Sequence, residues 1–279
     1  MIRSRYDLLA GFLHRHRLHC ALEGALTAGV DGAAQLPAMV PDQRRAIIVV
    51  GMHRSGTSIV SRTLEALGVH MGGDTTTENH ESEFFLDRND AMLAVAGGSW
   101  DWPNPFVDWL RADHENRAGT EPVDACARVA RAWLTSTQAR SYWKGHRGET
   151  HQFGWKEPRN SITWPIWHRV FPNALWINVE RDDAAVVASL VTRSQRILGQ
   201  RTWKSWRALD PHQCSSLHAE YRASISALRS RIDADSFLTI QYADLVADPV
   251  AVLDELTTAG VGDPSRVDAA ASLVRRRAP

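Results

Sequence analysis

The chain has 279 residues, 44% of them hydrophobic and 23% charged, which suits one large domain or one domain with an appendage. Lys plus Arg and Asp plus Glu each number 32, a balance that argues against bulk nucleic-acid binding but leaves room for a local basic pocket. The three cysteines, Cys20, Cys126 and Cys214, lie far apart without a CxxC pair, so neither a zinc knuckle nor a disulfide framework is expected and reduced thiols are. No run approaches the ~20 apolar residues that span a bilayer. The segment Met1–Cys20 is broken by Arg and His and lacks a signal-peptide apolar region, and no N-x-Ser/Thr site occurs. The expectation is a soluble, cytoplasmic protein with no membrane span and no nucleic-acid partner.

Residues 1–42 read as an N-terminal helical appendage and linker, and residues 43–279 as the main domain. Leu8, Leu9, Phe12, Leu13, Leu22 and Leu26 have roughly helical spacing, and Gly29, Gly32, Pro37 and Pro41 then break it. His14, His16 and His19 fall on mixed faces of that helix with no carboxylate or thiol cluster, so no metal site is expected there.

The main domain opens on Ala46–Val50, a continuous apolar run rich in β-branched residues, the pattern of a strand buried on both faces. A glycine-bearing loop follows. Ile59, Val60, Thr63, Leu64 and Leu67 then recur at helical spacing, with Gly68 as the stop. The stretches Cys126–Leu134 and Leu217–Ile232 carry apolar helical stripes that suit core packing. Ala174–Val179 is a second buried strand, and Asp182 and Asp183 start a helix whose apolar face is Val186, Val187, Leu190 and Val191. Ser236–Tyr242 is a third strand, followed by an Asp248-Pro249 helix start and a stop at Gly260. Strands alternating with helices predict an α/β fold with a parallel sheet covered on both faces.

The loop at 51–58 reads GMHRSGTS. Gly51, Gly56 and Ser58 match the spacing of the nucleotide P-loop, GxxxxGK[ST], but Thr57 stands where the lysine belongs. A buried strand running through a glycine loop into a helix N-terminus still presents free backbone N–H groups and a dipole that favour an anion. Without the lysine the loop is poorly built for a triphosphate with its bridging metal. The cation here is Arg54.

The segment Ile48–Gly68 closely resembles the 5′-phosphosulfate loop of sulfotransferases, in which Lys or Arg precedes Ser-Gly-Thr-[Ser/Thr]; Arg54-Ser55-Gly56-Thr57-Ser58 matches it residue by residue. Those sulfotransferases use 3′-phosphoadenosine-5′-phosphosulfate (PAPS) as co-substrate and release adenosine 3′,5′-bisphosphate. The resemblance implies a P-loop-type three-layer fold with a central parallel sheet flanked by helices. It implies that Gly51, His53, Arg54, Ser55, Gly56, Thr57 and Ser58 form the donor loop, with Arg54 on the transferring sulfuryl. Val179–Leu190, VERDDAAVVASL, is similar to the family's 3′-phosphate motif, a strand-end Arg and a helix Ser eight positions later, here Arg181 and Ser189. Asp182-Asp183 departs from the usual residues after that Arg, and both are read as helix-capping groups that point away. Gly154–Ala174 resembles the W-K-[Asp/Glu]-P-R segment of bacterial members, which makes Lys156 a catalytic helper and Arg159 a donor or acceptor contact. Thr239–Leu253 resembles the family's closing segment, with Ala243 in place of the usual Glu.

In-line sulfuryl transfer asks for cations at the bridging oxygen and a base for the acceptor's proton. The candidate bases are Glu78, Glu83 and His80, in a stretch, His70–Phe85, that also contains Glu81. No metal is required in this scheme. Trp100, Trp102, Phe106 and Trp109 form either an acceptor wall or an aromatic subcore. The acceptor is a small molecule or glycan: a carbohydrate, a lipid or a natural product. Arg275–Arg277 is read as a chain-end tail rather than a donor contact. A metal-dependent nucleotide kinase with a degenerate P-loop and a non-catalytic nucleotide-binding protein remain the alternatives.

Overall fold

The computed structural model describes residues 45–116, 122–148, 152–199 and 209–275. The expected appendage at 1–42, with its three histidines, and Arg276 and Arg277 lie outside the described residues.

Four strands form one sheet: β1 (Ile47–Val50), β2 (Gly154–Lys156), β3 (Leu175–Glu180) and β4 (Phe237–Gln241). Their order is β2-β1-β3-β4 and every pairing is parallel. The helices are α1 (Thr57–Ala66), α2 (Glu83–Val95), α3 (Asn104–Asn116), α4 (Pro122–Thr135), α5 (Arg140–Trp143) and α6 (Asn160–Val170). They continue as α7 (Asp183–Gly199), α8 (Pro211–Arg229), α9 (Tyr242–Ala247), α10 (Pro249–Thr258) and α11 (Val267–Arg275).

The strand period of two explains why both faces are covered. Ile48 and Val50 enter one apolar cluster with Trp155, Trp176, and residues of α2, α4, α6 and α8. Ile47 and Val49 enter the other, with Leu175, Ile177, Val179, and residues of α1, α10 and α11. A parallel sheet between two helical layers is thus the α/β architecture that the sequence pattern predicts.

β1, β3 and β4 fall where the apolar runs predict strands. β2 does not announce itself, because three residues ending in lysine make no run. Its place is set instead by a close approach. A Cβ on Gly154 would lie 2.2 Å from the Ile47 carbonyl oxygen, so only glycine lets the edge strand pair with β1 at this register, Ile47 opposite Gly154. Asp248 caps α10 by accepting from Ala251 N, with Pro249 at the first turn, as the sequence suggests.

The chain leaves β1 for β2 on one side, then crosses back to β3 on the other. That reversal puts the loop after β1 at the switch point of the sheet, where open parallel sheets bind ligands at their carboxyl ends. All four strand ends meet there: Lys156 ends β2, Gly51 follows β1, Arg181 follows β3 and Tyr242 follows β4.

Candidate active site

The loop after β1 is bent by backbone that favours glycine. Gly56, the residue before α1, has φ 102°, and a Cβ there would lie 2.3 Å from the Tyr242 ring. Arg54 also has positive φ, 75°, a left-handed conformation that costs a non-glycine residue roughly 1–2 kcal/mol. The bend is held by Ser55 N donating to Met52 O at 3.1 Å, and by Gly51 N donating to Ser161 Oγ at 3.0 Å. No side chain caps α1, so its N-terminus faces the cleft with its dipole uncompensated by a protein group. Ser55 Oγ and His53 Nε2 are buried and have no hydrogen-bond partner.

A cleft of about 320 Å³ lies over this loop. Its lining includes His53, Arg54, Gly56, Thr57, Ser58 and Arg181. Arg54 Nε donates to Ser189 Oγ at 2.9 Å, and Arg181 Nη1 donates to the Arg54 carbonyl at 3.2 Å. The two segments singled out from the sequence, 127 residues apart, are therefore bonded to each other. The Arg181 guanidinium also stands 4.9 Å from the centre of the Tyr242 ring. Asp182 accepts from Ala185 N at 2.8 Å and so caps α7. Asp183 is taken by His218 Nε2 at 3.0 Å and by Arg222. The hydrogen bond from His218, then the charge of Arg222, hold its carboxyl below the ordinary range. Neither carboxylate is among the residues that line the cleft.

Lys156 is only 1% exposed, and its ammonium donates to Asn79 O at 2.7 Å and to Glu81 Oε1 at 3.0 Å. Burial pushes its pKa down, and the pairing with Glu81 opposes that. Glu78 and Glu81 both line the cleft. The other two candidate bases are not brought there. His80 turns back to Glu65 on α1, 3.1 Å away, and Glu83 lies exposed in the first turn of α2. His80 sits at φ 53°, in a turn that Thr76 closes by accepting from His80 N at 2.9 Å, and this turn carries its ring away from the loop. Glu81, one residue from His80 and two from Glu83, is the carboxylate that the Lys156 contact draws in.

His53 packs edge-on against Trp100, ring centres 4.8 Å apart, and against Tyr221 at 6.0 Å. Burial, then the charges of Arg193, Arg159, Lys156 and Arg54, keep its pKa well below the ordinary value, so the ring is neutral at pH 7. Arg193, which sequence reasoning passed over, lines the cleft beside it. The signal was present: Arg193 is four residues after Ser189, on the same face of a helix.

The aromatic segment after Gly98 divides. Trp100 packs on His53 of the loop after β1, Phe106 is buried in the core with Trp109 packed on it at 5.8 Å, and Trp102 is 49% exposed. Arg159 is drawn into a buried network behind the loop, 2.7 Å from Asp90 and bonded to Glu157.

A larger cavity of about 670 Å³ opens at the far end of α1, between Gly68, Lys144 and Arg266. No residue of the loop reaches it. Among the described residues, no group of three or more His, Cys, Asp or Glu side chains is placed to hold a metal, and no helix is long and apolar enough to cross a membrane.

An α/β sheet with a lysine-free anion loop at its switch point, bonded to a strand-end arginine, defines the class. The family model described as "Sulfotransferase family" matches residues 46–260, and the chain belongs to that family. Among solved structures, the chain is similar to the sulfotransferase STF1 from Mycobacterium tuberculosis H37Rv. The TM-score is 0.55 at 16% identity, over 95% of this chain and 78% of that one. It is also similar to the sulfotransferase STF9 from Mycobacterium avium, with a TM-score of 0.50 at 17% identity, over 95% of this chain and 73% of that one. Likeness at this identity speaks for the fold. No match was found among curated proteins.

Proposed function

We propose that the protein transfers a sulfuryl group from PAPS to a hydroxyl or amine of an acceptor. The observation that carries this reading is the pair of contacts at Arg54, Nε to Ser189 and carbonyl to Arg181, which makes one cleft of the 5′ loop and the 3′-phosphate motif. The residues fit such a donor. The uncapped start of α1 and the unpartnered Ser55 hydroxyl offer hydrogen bonds to a 5′-phosphate. Arg181 and Ser189, at the end of β3 and on α7, offer a cation and a hydroxyl to a 3′-phosphate.

PAPS supplies the activated sulfuryl. The acceptor oxygen or nitrogen bonds to sulfur, the bond from sulfur to the bridging oxygen breaks, and that electron pair leaves on adenosine 3′,5′-bisphosphate. Arg54 neutralises the charge that grows at the bridging oxygen. Glu78 takes the acceptor's proton. Glu81, the other cleft carboxylate, is already engaged by the Lys156 ammonium 3.0 Å away. Lys156 holds the 76–81 turn over the site through Asn79 and Glu81 and shares the catalytic charge. The scheme needs no metal. It belongs to a soluble, cytoplasmic enzyme whose acceptor, a carbohydrate, lipid or small natural product, approaches past Trp100. Residues 43–279 form the catalytic domain in this reading, and residues 1–42 an appendage.

Arg181→Ala tests it. Titration calorimetry should show binding of adenosine 3′,5′-bisphosphate weakened about tenfold to a hundredfold, and binding of adenosine 5′-phosphosulfate changed far less. Equal losses would show that Arg181 does not read the 3′-phosphate.

A further inference from the structure

We infer that Arg193 is a further catalytic residue, a cation that contacts the transferring sulfuryl from the acceptor side of the cleft. The inference rests on the sulfuryl-transfer reading above and adds a residue that the donor motifs do not contain.

Four observations converge on it. Arg193 lies one helical turn past Ser189 on α7, so its side chain leaves the same face of the helix and lines the same cleft. Arg193 is half-buried. Burial first, and then the repulsion of Arg159 and Arg54, lower its pKa against the pull of Glu81 and Glu78. Among the described residues it bonds to no carboxylate, and its guanidinium carbon lies 5.1 Å from the centre of the Trp100 ring. A half-buried guanidinium in a cleft, with five N–H donors and no bonded acceptor among the described residues, is available to an anion.

Its position says which part of the donor that anion is. Arg54 lines the cleft and joins the loop after β1 to α7 through Ser189. On one side are Arg181 and Tyr242, at the ends of β3 and β4. On the other are Trp100, His53 and the Lys156–Glu81 pair; the Arg193 guanidinium lies over the Trp100 ring and feels the charge of Glu81. A donor held by its 3′-phosphate at Arg181 and by its 5′-phosphate at the loop points its far end, the sulfuryl, toward the second group.

Arg193 is also held still. Trp100 sits in a tight turn closed by reciprocal backbone bonds between Ser99 and Trp102, both 3.1 Å, and its carbonyl accepts from Tyr221 Oη at 3.0 Å. The ring that the guanidinium covers is therefore anchored from two directions, and the cation is in place before the reaction. While the acceptor's bond to sulfur forms and the bridging bond breaks, the sulfuryl oxygens keep their charge. Arg54 acts on the leaving side of that group and Arg193 on the entering side.

The test needs no knowledge of the acceptor, because PAPS carries the sulfuryl and adenosine 3′,5′-bisphosphate does not. Calorimetric titration of wild type, Arg193→Gln and Arg193→Lys with both nucleotides reads the difference. The inference predicts that Arg193→Gln weakens PAPS about tenfold and leaves the bisphosphate within about twofold, with Arg193→Lys recovering part of the loss. Unchanged bisphosphate binding also shows that the variant is folded. Equal weakening of both nucleotides would make Arg193 a 3′-phosphate or structural residue and overturn the inference. No change in either would remove it from the sulfuryl as well. If wild type binds neither nucleotide, the donor reading itself fails, an outcome separate from either of these.

Discussion

Two buried polar regions flank the carboxyl end of β1, and they are built on opposite rules. Behind the loop, the Asn89 side chain is fully paired within the protein. Asn89 Nδ2 donates to Glu157 at 2.6 Å and to Asn160 at 2.8 Å, while Asn89 Oδ1 accepts from Thr163 Oγ1 and Trp167 Nε1, both at 2.7 Å. Trp155 Nε1 closes the set on Asn160 at 3.1 Å. In the loop itself, Ser55 Oγ and His53 Nε2 are just as buried and have no partner. Leaving a buried donor or acceptor unpaired costs about 1–3 kcal/mol. The network needs nothing more and fixes β2 and α6 against β1. The loop carries unsatisfied groups and a left-handed Arg54, a cost that a bound anion offsets. On the proposed function, the network serves stability and the loop serves binding.

The largest effect that would break this contrast belongs to Asn89→Ala. It strips four hydrogen bonds from a sealed network and should lower stability by about 2–4 kcal/mol, roughly 5–15 °C in Tm for a chain of this size. The folded protein should still bind adenosine 3′,5′-bisphosphate. Lost binding at a temperature where circular dichroism reports native protein would merge the two regions into one.

A smaller effect of opposite kind is expected at Ser55→Ala. Removing an unpaired hydroxyl should leave Tm unchanged or raise it slightly, while bisphosphate binding weakens severalfold. A drop in Tm of more than a few degrees would mean that Ser55 serves the fold.

The smallest effect is a pH slope. Burial, opposed by the charge of Arg159, raises the Glu157 pKa from 4.5 to about 7. The folded state then binds a proton that the unfolded state has already released. That contribution to stability is full below about 4.5 and is lost as the pH rises through about 7. Denaturant midpoints across this window should slope downward with pH in wild type, and less in Glu157→Gln. Identical slopes would show that Glu157 keeps its charge in the folded protein.

What the sequence made legible follows from the range of each signal. β1, β3 and the loop between β1 and α1 are local patterns: β-branched runs, and glycines at set spacing. The placement of Arg181 at a strand end and of Ser189 on the helix that follows was legible for the same reason, because the two are one local unit. β2 was not, since three residues gain strand identity only by pairing with β1. The base region failed at finer grain. Glu78, His80, Glu81 and Glu83 are neighbours in sequence, but Glu65 on α1 and Lys156 on β2 decide which way His80 and Glu81 turn. The four aromatic residues after Gly98 were split by burial in the same way, one to the loop, two to the core and one to solvent. Arg193 was readable from helix periodicity, but its lack of a bonded partner was not.

The central claim is that the cleft takes a nucleotide phosphorylated at 3′ and charged at 5′ without a metal. Thermal melting with adenosine 3′,5′-bisphosphate in EDTA, against ATP with Mg²⁺, tests it most directly. The bisphosphate should raise Tm by several degrees at concentrations well above its Kd, and Mg²⁺–ATP should do much less. The reverse order would contradict the account and return the loop to a nucleotide kinase.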